Sequence, residues 1–196
     1  MTEFCSYFEN GLWHILSLFE CKHILFLIVL TVPYVFKEWN KLLLLVSVFT
    51  LGNLIALLLT VFGVVIIKGQ LISLLVLLLI LLIALFNLFS GKSSKPLPIN
   101  GVGFVSLTFG VLHGLDSASL FHSLSKPVSQ SKLLSVLEFS LGIEAAQIIV
   151  VFLVLLFAYV CQTFFRFSKR DCTLALSSFV IGVVLPLIIK NQFWNQ

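Results

Sequence analysis

The chain has 196 residues, of which 60% are hydrophobic and 10% charged, with a formal net charge of +4. Soluble domains carry about 25% charged residues, so there is too little polar surface here to coat a soluble fold, and a mean hydropathy of +1.16 points to a bilayer. The basic excess, 12 Lys+Arg against 8 Asp+Glu, lies mostly in short connections. It reads as a topology signal rather than a nucleic-acid footprint, and no nucleic-acid partner is expected. The length fits one helical bundle rather than two domains. The four cysteines, Cys5, Cys21, Cys161 and Cys172, form no CxxC pair, so neither a structural zinc nor a disulfide framework is supported. The amino terminus has no basic stretch and no small-residue cleavage site, so the first hydrophobic helix is expected to direct insertion itself.

A spanning helix needs ~20 apolar residues. The predicted helices are 13–36, 42–67, 71–89, 101–124, 133–164 and 173–189, an all-α polytopic membrane bundle of about six transmembrane helices in a single domain over 1–196. Residues 2–12, with Glu3 and Glu9, read at most as an interfacial helix. The short connection Lys68-Gly69-Gln70 predicts an antiparallel hairpin, and Gly91, Pro96 and Pro98 end helices in the next loop. Basic residues favour the cytoplasmic side. Seven of them, Lys37, Lys41, Lys92, Lys95, Arg166, Lys169 and Arg170, follow the first, third and fifth helices, against Lys68, Lys126, Lys132 and Lys190 opposite. This bias places both termini outside the cytoplasm, with the bacterial inner membrane as the expected location. Trp39 and Trp194 fall at helix ends, as interfacial anchors do.

Polar residues within these segments define a candidate site. In the first helix, His14, Ser17 and Cys21 share a face, and Glu20 and His23 are i, i+3 neighbours. The long side chains of Glu20 and Lys22 suit the outer interface, whereas His23 precedes an apolar run and reads as bundle-facing. In the second helix Asn53 follows Gly52. Its amide can join helices that glycine lets approach, or it can stand beside a bound ion. In the fourth helix His113 and Asp116 lie i, i+3, about 60° apart on one face. Ionisable groups are expensive in hydrocarbon and a buried ion pair adds little net stability, so this pair reads as functional. Ser117 flanks it, and His122 reads as solvated near the outer end. In the fifth helix Glu138 lies near the outer start. Glu144 and Gln147 lie i, i+3 beside Gly142, Ala145 and Ala146. Glu144 sits ~15 Å along the helix, where a carboxylate is protonated or paired.

His14, His23, His113, Asp116 and Glu144 are therefore the candidate ligands of one intramembrane site open to the outside. Asn53 and Gln147 are hydrogen-bonding neighbours, and Lys22 is a charged one. Imidazole and carboxylate suit nickel, cobalt, zinc or iron and do not select among them.

Four of these segments, in order, resemble the HupE/UreJ family of membrane proteins, linked to nickel or cobalt supply for hydrogenase and urease. Trp13-His14-Ile-Leu followed by Lys22-His23-Ile-Leu-Phe26 is similar to its first-helix pattern of His-Ile-Leu and then Asp-His. Phe49-Thr50-Leu-Gly-Asn53 resembles its Phe-Thr-x-x-His-Ser segment, Phe109-Gly-Val-Leu-His113-Gly-Leu its Phe-Gly-x-x-His-Gly-Leu segment, and Leu141-Gly-Ile-Glu144-Ala-Ala-Gln147 its Leu-Gly-x-Glu-x-x-Gln segment. The resemblance implies His14, His23, His113 and Glu144 as ligands, and Ni2+ or Co2+ as the bound or transported ion, with no resident cofactor assigned. Lys22 stands where the pattern has Asp, Asn53 where it has His, Leu54 where it has Ser, and Asp116 where it commonly has Gly. Lys22 is thus placed to pair with Asp116 or Glu144. The leading expectation is a divalent-metal permease, not an enzyme, with the lipid bilayer and the ion as its partners. Two alternatives stay open: a non-transporting scaffold with a Lys/Asp charge-compensated core, and a membrane-embedded metal-dependent hydrolase with Glu144 as general base.

Overall fold

The computed structural model describes residues 3–17, 21–65, 69–90, 99–124 and 132–191, and among these the regular structure is all helical. The helices are α1 (Glu3–Leu16), α2 (Lys22–Thr31), α3 (Trp39–Val61), α4 (Gly69–Phe89), α5 (Ile99–Leu124), α6 (Lys132–Phe164) and α7 (Lys169–Ile189), with a 3-10 turn at Phe36–Glu38 leading into α3. Four helical stretches, Phe36–Val61, Gln70–Phe89, Lys132–Phe164 and Lys169–Ile189, are long and apolar enough to cross a membrane. Glu20, Lys68, Lys92, Lys95, Lys126 and Trp194 lie outside the described residues, as does the side chain of His122. Trp39 is exposed at the start of α3, as an interfacial anchor should be.

The first predicted helix is two helices. α1 reaches back to Glu3, absorbing the segment read as interfacial, and stops at Leu16; α2 begins at Lys22 and stops at Thr31. α2 is short but buried on nearly every side, through His23, Leu25, Phe26, Leu27, Val29, Leu30 and Thr31. A helix apolar all round belongs in the centre of a bundle, and α2 indeed packs among α4, α6 and α7. The second predicted helix ends early, at Val61. Gly63 adopts φ +75° and Val64 N donates to Leu59 O at 2.8 Å, the glycine-terminated end of a helix.

Packing does not follow chain order. The main pairs are α3 with α5, α1 with α6 and α4 with α7. The hairpin expected between the second and third predicted helices is not a principal contact, because α3 is claimed by α5 through small residues. Ser106, Gly110, Gly114 and Ala118 recur every four positions along α5 and are all buried. A Cβ on Gly110 would overlap the carbonyl of Phe49, and one on Gly114 that of Asn53. Ser106 Oγ adds a hydrogen bond to Leu45 O at 2.8 Å. Such stripes let helix backbones meet where hydrocarbon offers no other drive, and leucine-rich α4 has no equivalent. Gly11 and Gly142 play the same part between α1 and α6, each lying against a carbonyl of the other helix, Phe139 and Phe8.

Candidate metal centre

The break between α1 and α2 creates the site. On one straight helix His14 and His23 would stand ~13.5 Å apart along the axis. Instead His14 occupies the last turn of α1 and His23 the second position of α2, with ring centroids 5.0 Å apart. α5 supplies His113, whose ring lies 5.3 Å from that of His14 and 4.1 Å from that of His23. One nitrogen from each ring lies within 4.8 Å of the others, the single such grouping of His, Cys, Asp or Glu among the described residues. His23 and His113 are 2% and 1% exposed, and His14 is half-buried.

Ser117, one turn beyond His113, orients these rings. Its hydroxyl donates to the His113 carbonyl at 2.8 Å and lies 3.1 Å from His14 Nε2. It is also 3.2 and 3.4 Å from the two ring nitrogens of His113. A hydroxyl has one proton to give. With that proton on the backbone carbonyl, Ser117 accepts from His14, which puts hydrogen on Nε2.

Aromatic rings wall the triad on both sides. Phe26, one turn beyond His23, stacks on Phe109, one turn before His113, with centroids 3.6 Å apart. Phe49 lies 5.6 Å from Phe109 and 5.4 Å from His113. All three phenylalanines are fully buried and form a dry floor. Against His14 stands Phe139, at 6.0 Å, followed by Phe121 and Tyr7.

Lys22 and Asp116 sit at the rim. Lys22 Nζ is 2.8 Å from Asp116 Oδ2 and donates to Ser73 Oγ of α4 at 3.2 Å, and the paired side chains are 17% and 18% exposed. Asp116, expected as ligand or counter-ion, therefore holds an ammonium. Ser73 was not among the expected site residues; a lone hydroxyl in a leucine-rich helix was the signal for it. Glu144 is half-buried and accepts a hydrogen bond from Ser47 Oγ at 2.9 Å, between α6 and α3, outside the ligand grouping. Gln147 is 1% exposed, with no hydrogen bond to its Oε1. Asn53 is 0% exposed with neither amide atom hydrogen-bonded, on the stretch of α3 that faces Gly114, the neighbour of His113. Of the five residues expected as ligands, His14, His23 and His113 stand together, Asp116 pairs with Lys22, and Glu144 accepts from Ser47.

No curated protein and no solved structure matches this chain. The family model described as HupE / UreJ protein matches residues 1–191. That family comprises metal transport and accessory proteins rather than enzymes, which sets the hydrolase reading aside. The match runs through all seven of the described helices and all three histidines of the centre, and the chain belongs to the HupE/UreJ family.

Proposed function

We propose that the protein is a membrane permease for a divalent transition-metal ion, nickel or cobalt, which it binds in passing at His14, His23 and His113. The observation that carries this reading is the convergence of three imidazoles from three helices, with a nitrogen of each within 4.8 Å of the others. Metal–imidazole bonds of ~2.0–2.1 Å at tetrahedral or octahedral angles place ligand nitrogens ~3–3.5 Å apart, so a shift on the order of 1 Å closes the triad on an ion. Imidazole suits late first-row ions. Three neutral ligands leave the ion's charge uncompensated, which keeps binding reversible, as passage requires.

The interrupted α1–α2 segment supports the same reading. Helix ends that meet inside a bundle are how transporters build central sites. In the proposed topology α1 with α2 forms one crossing and α5 another, beside α3, α4, α6 and α7. Both termini face outside the cytoplasm, and the membrane is the bacterial inner membrane. The floor of Phe26, Phe49 and Phe109 then acts as a hydrophobic gate that must part for the ion to go on. Asn53 and Gln147 offer hydrogen bonds to the water the ion carries. Asp116 balances charge at the rim, and Glu144 stands apart from the ligands.

Uptake of labelled nickel or cobalt by cells expressing the chain tests this. The double variant His23→Ala/His113→Ala is expected to abolish uptake; uptake equal to wild type would sink the reading. The 2.8 Å Lys22–Asp116 contact favours a second reading, a non-transporting scaffold with a charge-compensated core. That reading requires purified protein to take up no nickel, cobalt or zinc at near-stoichiometric loading.

A further inference from the structure

The ion pair beside the triad hangs from two of the three helices that carry the imidazoles, α2 and α5. Lys22 immediately precedes His23 on α2, and Asp116 lies three residues beyond His113 and one before Ser117 on α5. The lysine is held at a fixed place by two partners on two different helices, Asp116 at 2.8 Å and Ser73 at 3.2 Å. A carboxylate is an ordinary ligand for the ions that imidazole binds, yet here the carboxylate nearest in sequence to His113 is engaged by a cation of the protein's own.

We infer that Lys22 sets the affinity of the triad: its ammonium keeps Asp116 out of the ligand set and opposes the charge of a bound divalent ion. The inference rests on the reading of the triad as an ion site. With neutral imidazoles and an intact Lys22–Asp116 pair, the empty site has no net charge, and an arriving divalent ion makes it +2. Without the lysine charge, the carboxylate faces the ion directly and the loaded site falls to +1. Like charges at short range disfavour one another most where water is scarce. Lys22 therefore trades affinity for release, and a permeation site needs release as much as capture.

The test uses the full-length chain purified in detergent, titrated with Ni2+ and with Co2+, alongside uptake by cells. Lys22→Met is expected to lower Kd by about tenfold, a change typical of neighbours that tune a metal site, and to slow uptake. A merely structural lysine would lower both affinity and uptake when removed, so the opposite movement of the two is diagnostic. Lys22→Arg, which keeps the charge, is expected to behave as wild type. Lys22→Met/Asp116→Asn is expected to return Kd to near the wild-type value. Lys22→Gln, which keeps a donor for Ser73, carries the test with the same expected tightening if Lys22→Met does not fold. Unchanged or weaker binding in Lys22→Met and Lys22→Gln, while His113→Ala loses binding, overturns the inference and leaves the triad intact. Tightening that persists in the double variant also overturns it, because Asp116 would then not be the released ligand. Binding by His113→Ala as tight as wild type instead overturns the triad reading itself.

Discussion

Gly142→Ala is expected to loosen the metal centre without touching a ligand. Gly142 lies where α6 meets α1, and an added Cβ there would overlap the Phe8 carbonyl oxygen and come 3.0 Å from both Phe8 C and Leu12 N. Those are backbone atoms and cannot rotate aside, so the helices must separate by an amount on the order of 1 Å, at an overpacking cost of ~1–3 kcal/mol. His14 is two residues past Leu12 on the displaced helix. The triad nitrogens lie within 4.8 Å of one another, against the ~3–3.5 Å that a bound ion imposes. A further ångström takes His14 out of reach and leaves two ligands. Nickel affinity should fall ~10- to 100-fold, with a lower Tm, as read by calorimetric titration and thermal unfolding in detergent. Gly182→Ala is the control. Its Cβ would meet nothing within 4 Å, and affinity should not change. A Gly142→Ala protein with wild-type Kd and Tm would refute the claim that this contact positions His14.

Ser117→Ala removes the acceptor for His14 and the donor to the His113 carbonyl, and should weaken nickel binding about tenfold; unchanged affinity would mean the rings are held by packing alone. Asn53→Leu deletes two buried amide atoms that have no hydrogen bond, so Tm should hold or rise, by up to ~1–2 kcal/mol of stability, whereas a drop of several degrees would show the amide bonded. Tyr34, in the turn after α2, is pushed up to about 12 by burial and then by the charge of Glu38. The fold prefers the neutral phenol, so the stability this contributes is intact below the ordinary value of 10 and is lost as pH rises through about 12. An ultraviolet titration should show a late tyrosine transition that Tyr34→Phe removes; a profile unaltered by that substitution would contradict the assignment.

Periodicity and composition made the helices legible, since apolar runs near spanning length have few other solutions in lipid. α5 and α6 begin and end within two residues of their predicted bounds. That α1 stops at Leu16 and α2 starts at Lys22 was not legible, because no glycine or proline stands between them in the sequence. A continuous helix spread His14 and His23 over two turns and more, where the structure brings their rings together. The start of α1 was partly legible in hindsight: Tyr7, Gly11 and Ile15 recur at four-residue spacing and are the positions buried against the bundle. His113 was correctly singled out as a polar residue of the bundle interior. The Ser47–Glu144 hydrogen bond depends on azimuth around the helix, which depth along the sequence does not give. The Lys22–Asp116 pair joins residues 94 positions apart; only the fold could choose between Asp116 and Glu144 as the lysine's partner.

The most direct measurement of the central claim is X-ray absorption on purified protein loaded with one equivalent of Ni2+. Three imidazole nitrogens at ~2.1 Å around the metal, with no sulfur ligand and with the signal lost in His113→Ala, is the result expected. Failure to load near stoichiometry, or an oxygen-dominated environment that survives His113→Ala unchanged, would contradict it.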